Sequence, residues 1–314
     1  MFAAASKAFF YALSRSAAVK RMASTYGMAS DDSFARRFIA GETAGEAIAV
    51  ARALQARGLL LTLDFLGESV RTPEEAAAAT AAYLRLIDVL VAAGIERNVS
   101  IKLTQLGIDV DRATCVDNLR RILDPAERNG FFVRIDMENS RYTQATLEVF
   151  ETLWHLGYRQ IGMALQAYLH RTEQDVRRMN ELGARVRLVK GAYKEPPAAA
   201  FQKKSEVDEA FARLARLLLE EGNYPAIATH DERMLALTRA HAAERGIASD
   251  RFEFQMLYGI RRDLQEALVA AGYRLRIYVP FGTQWFPYFM RRLGERPANV
   301  GFVIRGILGD KARQ

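Results

Sequence analysis

Short apolar, β-branched runs alternate with longer stretches of helical periodicity along most of the chain. The runs fall at 59–65, 98–103, 131–136, 160–166, 185–190, 225–230, 252–257 and 274–280. Each is too short for a helix and rich in Leu, Ile, Val or Phe, which predicts a buried strand. After each comes a segment whose apolar residues are spaced three and four apart. These lie near 73–93, 112–128, 143–157, 171–183, 204–222, 232–245, 261–271 and 284–294. That spacing predicts helices with one face turned inward. Eight strands, each followed by a helix, imply parallel pairing through right-handed crossovers. Residues 33–57 carry one or two further helices ahead of the first strand.

Local punctuation agrees with this rhythm. Thr72-Pro73-Glu74-Glu75 and Thr172-Glu173 read as helix starts. Gly94, Gly183, Gly222 and Gly272 sit where helices should stop before the next strand. The expected fold is therefore α/β, a (β/α)8 barrel with extra N-terminal helices. Residues 1–57 form a helical arm and 58–314 the catalytic barrel, a comfortable length for this architecture. A doubly wound sheet is the rival. It often carries a Gly-rich phosphate turn after its first strand. Here that strand runs into Asp64-Phe65-Leu66-Gly67, with no G-x-G-x-x-G. No P-loop and no H-E-x-x-H occurs either.

Composition narrows the class. Half the residues are hydrophobic and about a quarter charged, as in an ordinary folded protein. Cys115 is the single cysteine, so neither an internal disulfide nor a cysteine-based zinc site can form. Net charge is +7, yet Lys and Arg are mixed with Asp and Glu through most of the chain, which argues against a nucleic-acid partner. The exception is residues 1–30, with Lys7, Arg15, Lys20 and Arg21, no acid, and Phe2, Phe9, Phe10, Tyr11 and Leu13. This segment reads as a basic amphipathic helix for a membrane surface, as a helix docked on the body, or as a stretch with the composition of an organelle transit peptide. No run of about 18 uncharged apolar residues predicts a membrane span.

The chemistry concentrates at strand ends. In a (β/α)8 barrel the active site lies at the C-terminal ends of the strands. Reading that edge gives Asp64, Lys102, Asp136, Gln166, Arg187 with Lys190, His230, Gln255 and Tyr278, while the strand interiors otherwise read as apolar. Any one of these alone is as consistent with a satisfied structural polar group. Together, converging on one mouth, they would be costly to desolvate without a ligand or partners. One His and no acidic cluster disfavour a metal. On the last helix Tyr288, Arg291, Arg292 and Glu295 share one side. An aromatic with two guanidiniums makes a carboxylate receptor, and Glu295 could hold an Arg in place. A Schiff-base lyase using Lys190 or Lys102 is an alternative on the same barrel. A non-catalytic scaffold is another.

Eight ordered segments also resemble the proline dehydrogenase family, especially its single-function bacterial branch. They are SIKLTQLGID (100–109), RIDMENS (134–140), LQAYLHRTEQD (165–175), RLVKGAY (187–193), ATHD (228–231), FEFQMLYG (252–259), YVPFG (278–282) and YFMRRLGERPAN (288–299), with AGET at 40–43. The resemblance covers about residues 35–310. It implies non-covalent FAD in a distorted (β/α)8 barrel and oxidation of L-proline to Δ1-pyrroline-5-carboxylate, with electrons passed to a quinone. By position, Asp136 and Arg187 match the catalytic pair. Lys102, Arg291 and Arg292 match the carboxylate site, and Tyr278, Tyr288 and Leu257 the pocket walls. Met137, Gln166, Arg187, Lys190, Gly191, Ala192, Thr229 and His230 match FAD contacts, to which the rim adds Gln255. A separate pyrroline-5-carboxylate dehydrogenase would act next. A cytoplasmic enzyme is expected, peripheral at the inner face of the cell membrane if residues 1–30 bind there.

Overall fold

A computed structural model describes Met28, Ser33 and residues 35–295, with side chains as far as Arg292. Apart from Met28, the basic segment 1–30 lies outside the described residues, as does the side chain of Glu295. The chain enters through a turn at 35–38 and α1 (Ala44–Gln55). Then β1 (Leu60–Phe65), α2 (Pro73–Ala93), β2 (Asn98–Ile101), α3 (Arg112–Arg128), β3 (Phe132–Ile135) and α4 (Ser140–His155) follow. Next are β4 (Ile161–Gln166), α5 (Thr172–Leu182), β5 (Arg185–Val189), α6 (Lys204–Glu221), β6 (Ala226–Ala228) and α7 (Glu232–Glu244). The last four are β7 (Glu253–Leu257), α8 (Arg262–Ala270), β8 (Leu275–Phe281) and α9 (Trp285–Glu295). All neighbouring strands pair in parallel, and β8 returns to β1 to close the barrel in chain order.

The helix signals act as their chemistry requires. Thr72 caps α2, its side chain accepting from Glu75 N, and Pro73 fills the first turn where its missing N–H costs nothing. Gly94 and Gly183 end α2 and α5 in the left-handed conformation. Gly222 does not: it is extended, at φ −85°. Thr172 begins α5 but does not cap it, because its Oγ1 donates to Gln166 O at 2.5 Å.

α2 is long and apolar enough, by length and composition, to cross a membrane. Its position explains the composition differently. It is the β1–β2 crossover, and Ala76, Thr80, Tyr83, Leu86, Ile87 and Leu90 form its buried face. Each large apolar side chain on that face contributes roughly 1.5–3 kcal/mol by leaving water.

The main core lies between sheet and helices. Leu61, Leu63, Val99, Ile101, Val133 and Ile135 face outward into it, joined by Ala47, Ile48, Ala51 and Leu54 of α1. The barrel interior is polar, which corrects the expectation of apolar strand interiors. Thr62, Ser100, Arg134, Arg187, Glu253, Gln255 and Arg276 are all buried there. The reason is the two-residue period of a strand: the apolar set serves the helix layer, and the alternate set fills the barrel.

α1 carries a capping box in which Thr43 accepts from Glu46 N while Glu46 Oε2 accepts from Thr43 N. Burial pushes the Glu46 carboxyl up, but Arg36 and the Thr43 and Glu42 amides outweigh this and hold it at about 2. A carboxylate with a depressed folded pKa adds stability at neutral pH and loses it as pH falls from about 4.5 towards 2. Glu46→Ala is expected to cost about 1 kcal/mol at pH 7, since the pair is partly solvent-screened. Urea titrations should show that cost shrinking by pH 3; a pH-independent difference contradicts the assignment.

Candidate active site

Local chain geometry delivers the ionic residues to one pole. β2 ends at Ile101 because Lys102 opens a 3-10 turn over Leu103–Gln105. The Lys102 side chain therefore leaves the strand end pointing to the axis, where Nζ donates to Asp64 Oδ1 (2.7 Å), Tyr278 OH (3.2 Å) and Asp136 Oδ2 (3.3 Å). Tyr278 OH donates to the same Asp136 oxygen at 2.7 Å. Arg187, midway along β5, donates through NH1 to Asp136 Oδ1 (2.7 Å), Nε to Gln255 Oε1 (2.6 Å) and NH2 to Ser100 Oγ (3.0 Å). The Lys102 ammonium and Arg187 guanidinium lie 6.0 and 5.2 Å from the centroid of the Tyr278 ring.

The two carboxylates of this dry cluster titrate in opposite senses. Burial raises Asp136, but Lys102 and Arg187 outweigh it and hold the carboxyl below its usual range. Asp64 is wholly buried, and for it desolvation outweighs Lys102, so its carboxyl is raised. Burial would lower Lys102, yet Asp64, Tyr278 and Asp136 keep the ammonium well above its ordinary value. Tyr278 is raised by burial and by the neighbouring acids, so its phenol stays protonated. Asp136 is thus the permanent anion of the cluster and Asp64 the carboxyl that takes a proton more readily.

The remaining rim residues divide. Gln166 is buried; its Nε2 donates to Glu138 O at 3.1 Å, while Oε1 has no hydrogen-bond partner among the described residues. His230 Nε2 accepts from Leu257 N at 2.9 Å, which places the ring proton on Nδ1. Thr229 Oγ1 accepts from Asp231 N, so β6 stops at Ala228 and both Thr229 and His230 lie in the loop beyond it. Lys190 does not join the ring. One residue past β5, it turns to the helix layer and pairs with Asp208 and Asp231. Gly191 has φ +118°, and a Cβ there would meet the Tyr168 ring at 2.4 Å. Met137 is buried and Ala192 exposed.

α9 covers the mouth. Tyr288 shares an apolar cluster with Trp285, Phe286 and Phe289, against which Tyr278 packs. The Arg292 guanidinium sits 5.1 Å from the Tyr288 ring centroid. Arg291 NH1 donates to Glu68 Oε1 at 2.9 Å. Sequence reading missed Glu68, and nothing in the local pattern of the β1–α2 loop signals it. It also missed Ser100, Glu138, Glu253 and Arg276. The last two were legible in the alternation Glu253-Phe254-Gln255 and Arg274-Leu275-Arg276. A cavity of about 450 Å³ opens at the other pole, lined by Leu60, Arg185, Tyr224, Arg274 and Arg276. That pole is where barrel proteins keep stability, not chemistry.

Comparison with known proteins supplies the affiliation. The proline dehydrogenase family profile matches residues 47–305. Proline dehydrogenase 2 of Bacillus subtilis is 42% identical over 95% of this chain and 97% of its own length. Proline dehydrogenase of Deinococcus radiodurans is 42% identical over 87% of this chain and 90% of its own. Among solved structures, proline utilization A (PutA) of Bdellovibrio bacteriovorus, inactivated by N-propargylglycine, superposes with a TM-score of 0.79 at 30% identity over 88% of this chain. This chain spans about a third of that larger protein. A family match along most of the sequence, relatives of nearly equal length, and a larger solved protein that superposes on this barrel leave one affiliation: the chain belongs to the proline dehydrogenase family.

Proposed function

We propose that this chain oxidises L-proline to Δ1-pyrroline-5-carboxylate with non-covalently bound FAD and passes the electrons to a quinone. The observation that carries the reading is the buried cluster of Lys102, Asp64, Asp136, Arg187 and Tyr278 at one barrel pole. The residues also fit a flavin. Gln166 Oε1 is a buried acceptor awaiting a donor, as a ring N–H would be. Gly191 permits a backbone approach that a side chain would block. Met137, Gln166, Gly191, Ala192, Thr229 and His230 would hold the cofactor, with Arg187 against its reactive ring; Lys190, paired with Asp208 and Asp231, and Gln255, whose amide is taken by Glu253 and Arg187, would stand behind them. Bound there, it would supply the two-electron acceptor that no side chain can provide.

The chain's own residues then perform the rest. Arg292 and Lys102 present cations to the proline carboxylate, and Arg291 joins them as the substrate competes with Glu68 for its guanidinium. Tyr278, Tyr288 and Leu257 would wall the substrate and exclude water from it. Asp136 fixes both Arg187 and the Tyr278 phenol, so the cationic face is set before substrate arrives. This preorganisation turns binding into alignment, the part of the barrier that positioning removes.

The lyase alternative fits the site poorly. A Schiff-base lysine must surrender its proton, yet Lys102 is held protonated by two carboxylates and Lys190 is paired with two more. An anaerobic absorption spectrum tests the main reading. The purified protein is expected to be yellow and to bleach on addition of L-proline. A colourless protein that nonetheless oxidises proline, or a flavin band indifferent to proline, would sink it. Membrane contact through residues 1–30 and a separate dehydrogenase for the product complete the proposed setting, at the inner face of the cell membrane. Liposome co-sedimentation should depend on residues 1–30.

A further inference from the structure

Beneath the mouth, the barrel holds a second ionic group that the reaction outlined above leaves idle. Arg276 Nε and NH2 donate to Glu253 Oε1 (2.7 Å) and Oε2 (2.9 Å). Arg276 NH1 donates to Leu61 O at 2.5 Å and also to Glu96. Glu253 Oε1 additionally accepts from Gln255 Nε2 at 2.5 Å, and Gln255 Oε1 accepts from Arg187 Nε at 2.6 Å. Glu253, Gln255 and Arg187 are 2%, 3% and 4% exposed, so little solvent competes for the bonds that join them.

The ordering of donors is what matters. A side-chain amide has an NH2 end and a carbonyl end, and it can turn over. An ionised carboxylate offers acceptors only. Glu253 can therefore receive only the NH2 end of Gln255, and the carbonyl end must then face Arg187. The guanidinium, which can only donate, meets an acceptor in that orientation and a second donor in the other. We propose that Glu253 is a positioning residue for Arg187, acting through the Gln255 amide, which it holds in the one orientation able to accept from the guanidinium. This rests on the reading that Arg187 works against the reacting centre. A neutral amide at 253 would accept or donate equally well. Gln255 could then reverse and leave Arg187 Nε unpaired in a dry interior, where a lost partner is expensive. The guanidinium would drift from Asp136 and Ser100.

The test compares a neutral variant with a swap. Glu253→Gln removes the constraint. Adding Gln255→Glu returns the charge to the barrel, one position higher, and gives Arg187 an acceptor that cannot turn over. With the wild type first shown to bind flavin and to bleach with proline, Glu253→Gln is expected to lower kcat by ~10–100-fold, the scale of an ångström misplacement. KM for proline should change by less than about threefold, because the carboxylate site is elsewhere. The midpoint potential of the bound flavin should fall in Gln255→Met, in which Arg187 loses its acceptor and shifts from the ring with no change in net charge. The swap is expected to restore kcat. If Glu253→Gln strands Arg276 and does not fold, Gln255→Met supplies the loss and the swap supplies the recovery. A folded swap variant as slow as the neutral one would overturn the proposal and leave Glu253 as a partner for Arg276 alone. A wild type without flavin would instead remove the reading beneath it.

Discussion

Lys102→Met is expected to destabilise the protein by about 3–5 kcal/mol at neutral pH, the range for breaking a buried ion pair from one side. Methionine matches the length of lysine, so little packing volume is lost. What is lost is the cation shared by Asp64 and Asp136, at 2.7 and 3.3 Å. Two buried carboxylates then face one another, and the one already raised, Asp64, must take a proton. The native state would bind that proton where the unfolded chain does not. Stability then falls as pH rises from about 4 upwards, opposite in sign to acid unfolding. Urea unfolding should show a larger deficit at pH 8 than at pH 5. Adding Asp64→Asn should recover much of it. A loss below about 1 kcal/mol, or one that is the same at both pH values, contradicts the charge assignment.

Arg292→Ala is expected to weaken proline binding by about 2–5 kcal/mol, the usual cost of truncating one member of a desolvated charge pair. At about 1.4 kcal/mol per decade the lower end of that range is roughly a 25-fold rise in KM. The guanidinium is 9% exposed and lies over Tyr288, whose ring packs beside Tyr278. Arg292→Lys should recover only part of the loss. An ammonium is a point charge without the planar fork that grips both carboxylate oxygens. On the proposed role the side chain would act on the carboxylate and not on the transferred hydride, so kcat at saturating proline should change much less. An unchanged KM rules the role out.

The barrel was legible because its signal is local. A run of apolar residues and the helix after it are each decided within about 20 residues, and every expected strand exists within a few residues of its expected bounds. The misplaced ends have physical causes. β2 stops early because Lys102 starts a 3-10 turn, and β6 shrinks to three residues because Thr229 Oγ1 binds Asp231 N. The ionic residues at the mouth were legible as exceptions in apolar runs. The pairing of Asp136 with Lys102 and Arg187 followed from their shared rim, but several other partners were not legible. Glu68 meets Arg291 across 223 residues of sequence, and Arg187 reaches Ser100 across 87. Such pairings depend on closure of the barrel, which no window of sequence contains. The polar interior lay between these extremes. The alternation in Thr62-Leu63-Asp64, Ser100-Ile101-Lys102 and Arg134-Ile135-Asp136 encodes it. Reading each run as uniformly apolar hid that alternation.

A sheet with an oily outside and an ionic inside is constrained unequally on its two sides. Outward positions such as Leu63 or Ile135 tolerate one change at a time, since a neighbouring side chain can shift to fill or vacate space. Inward positions do not, because replacing one charge strands another with no water to receive it. Arg276 with Glu253, or Lys102 with Asp64, can therefore be exchanged only in concert. Divergence inside this barrel must proceed by compensated double steps, while the annulus around it drifts singly. A library built to retune substrate choice should accordingly randomise the inner positions as linked pairs.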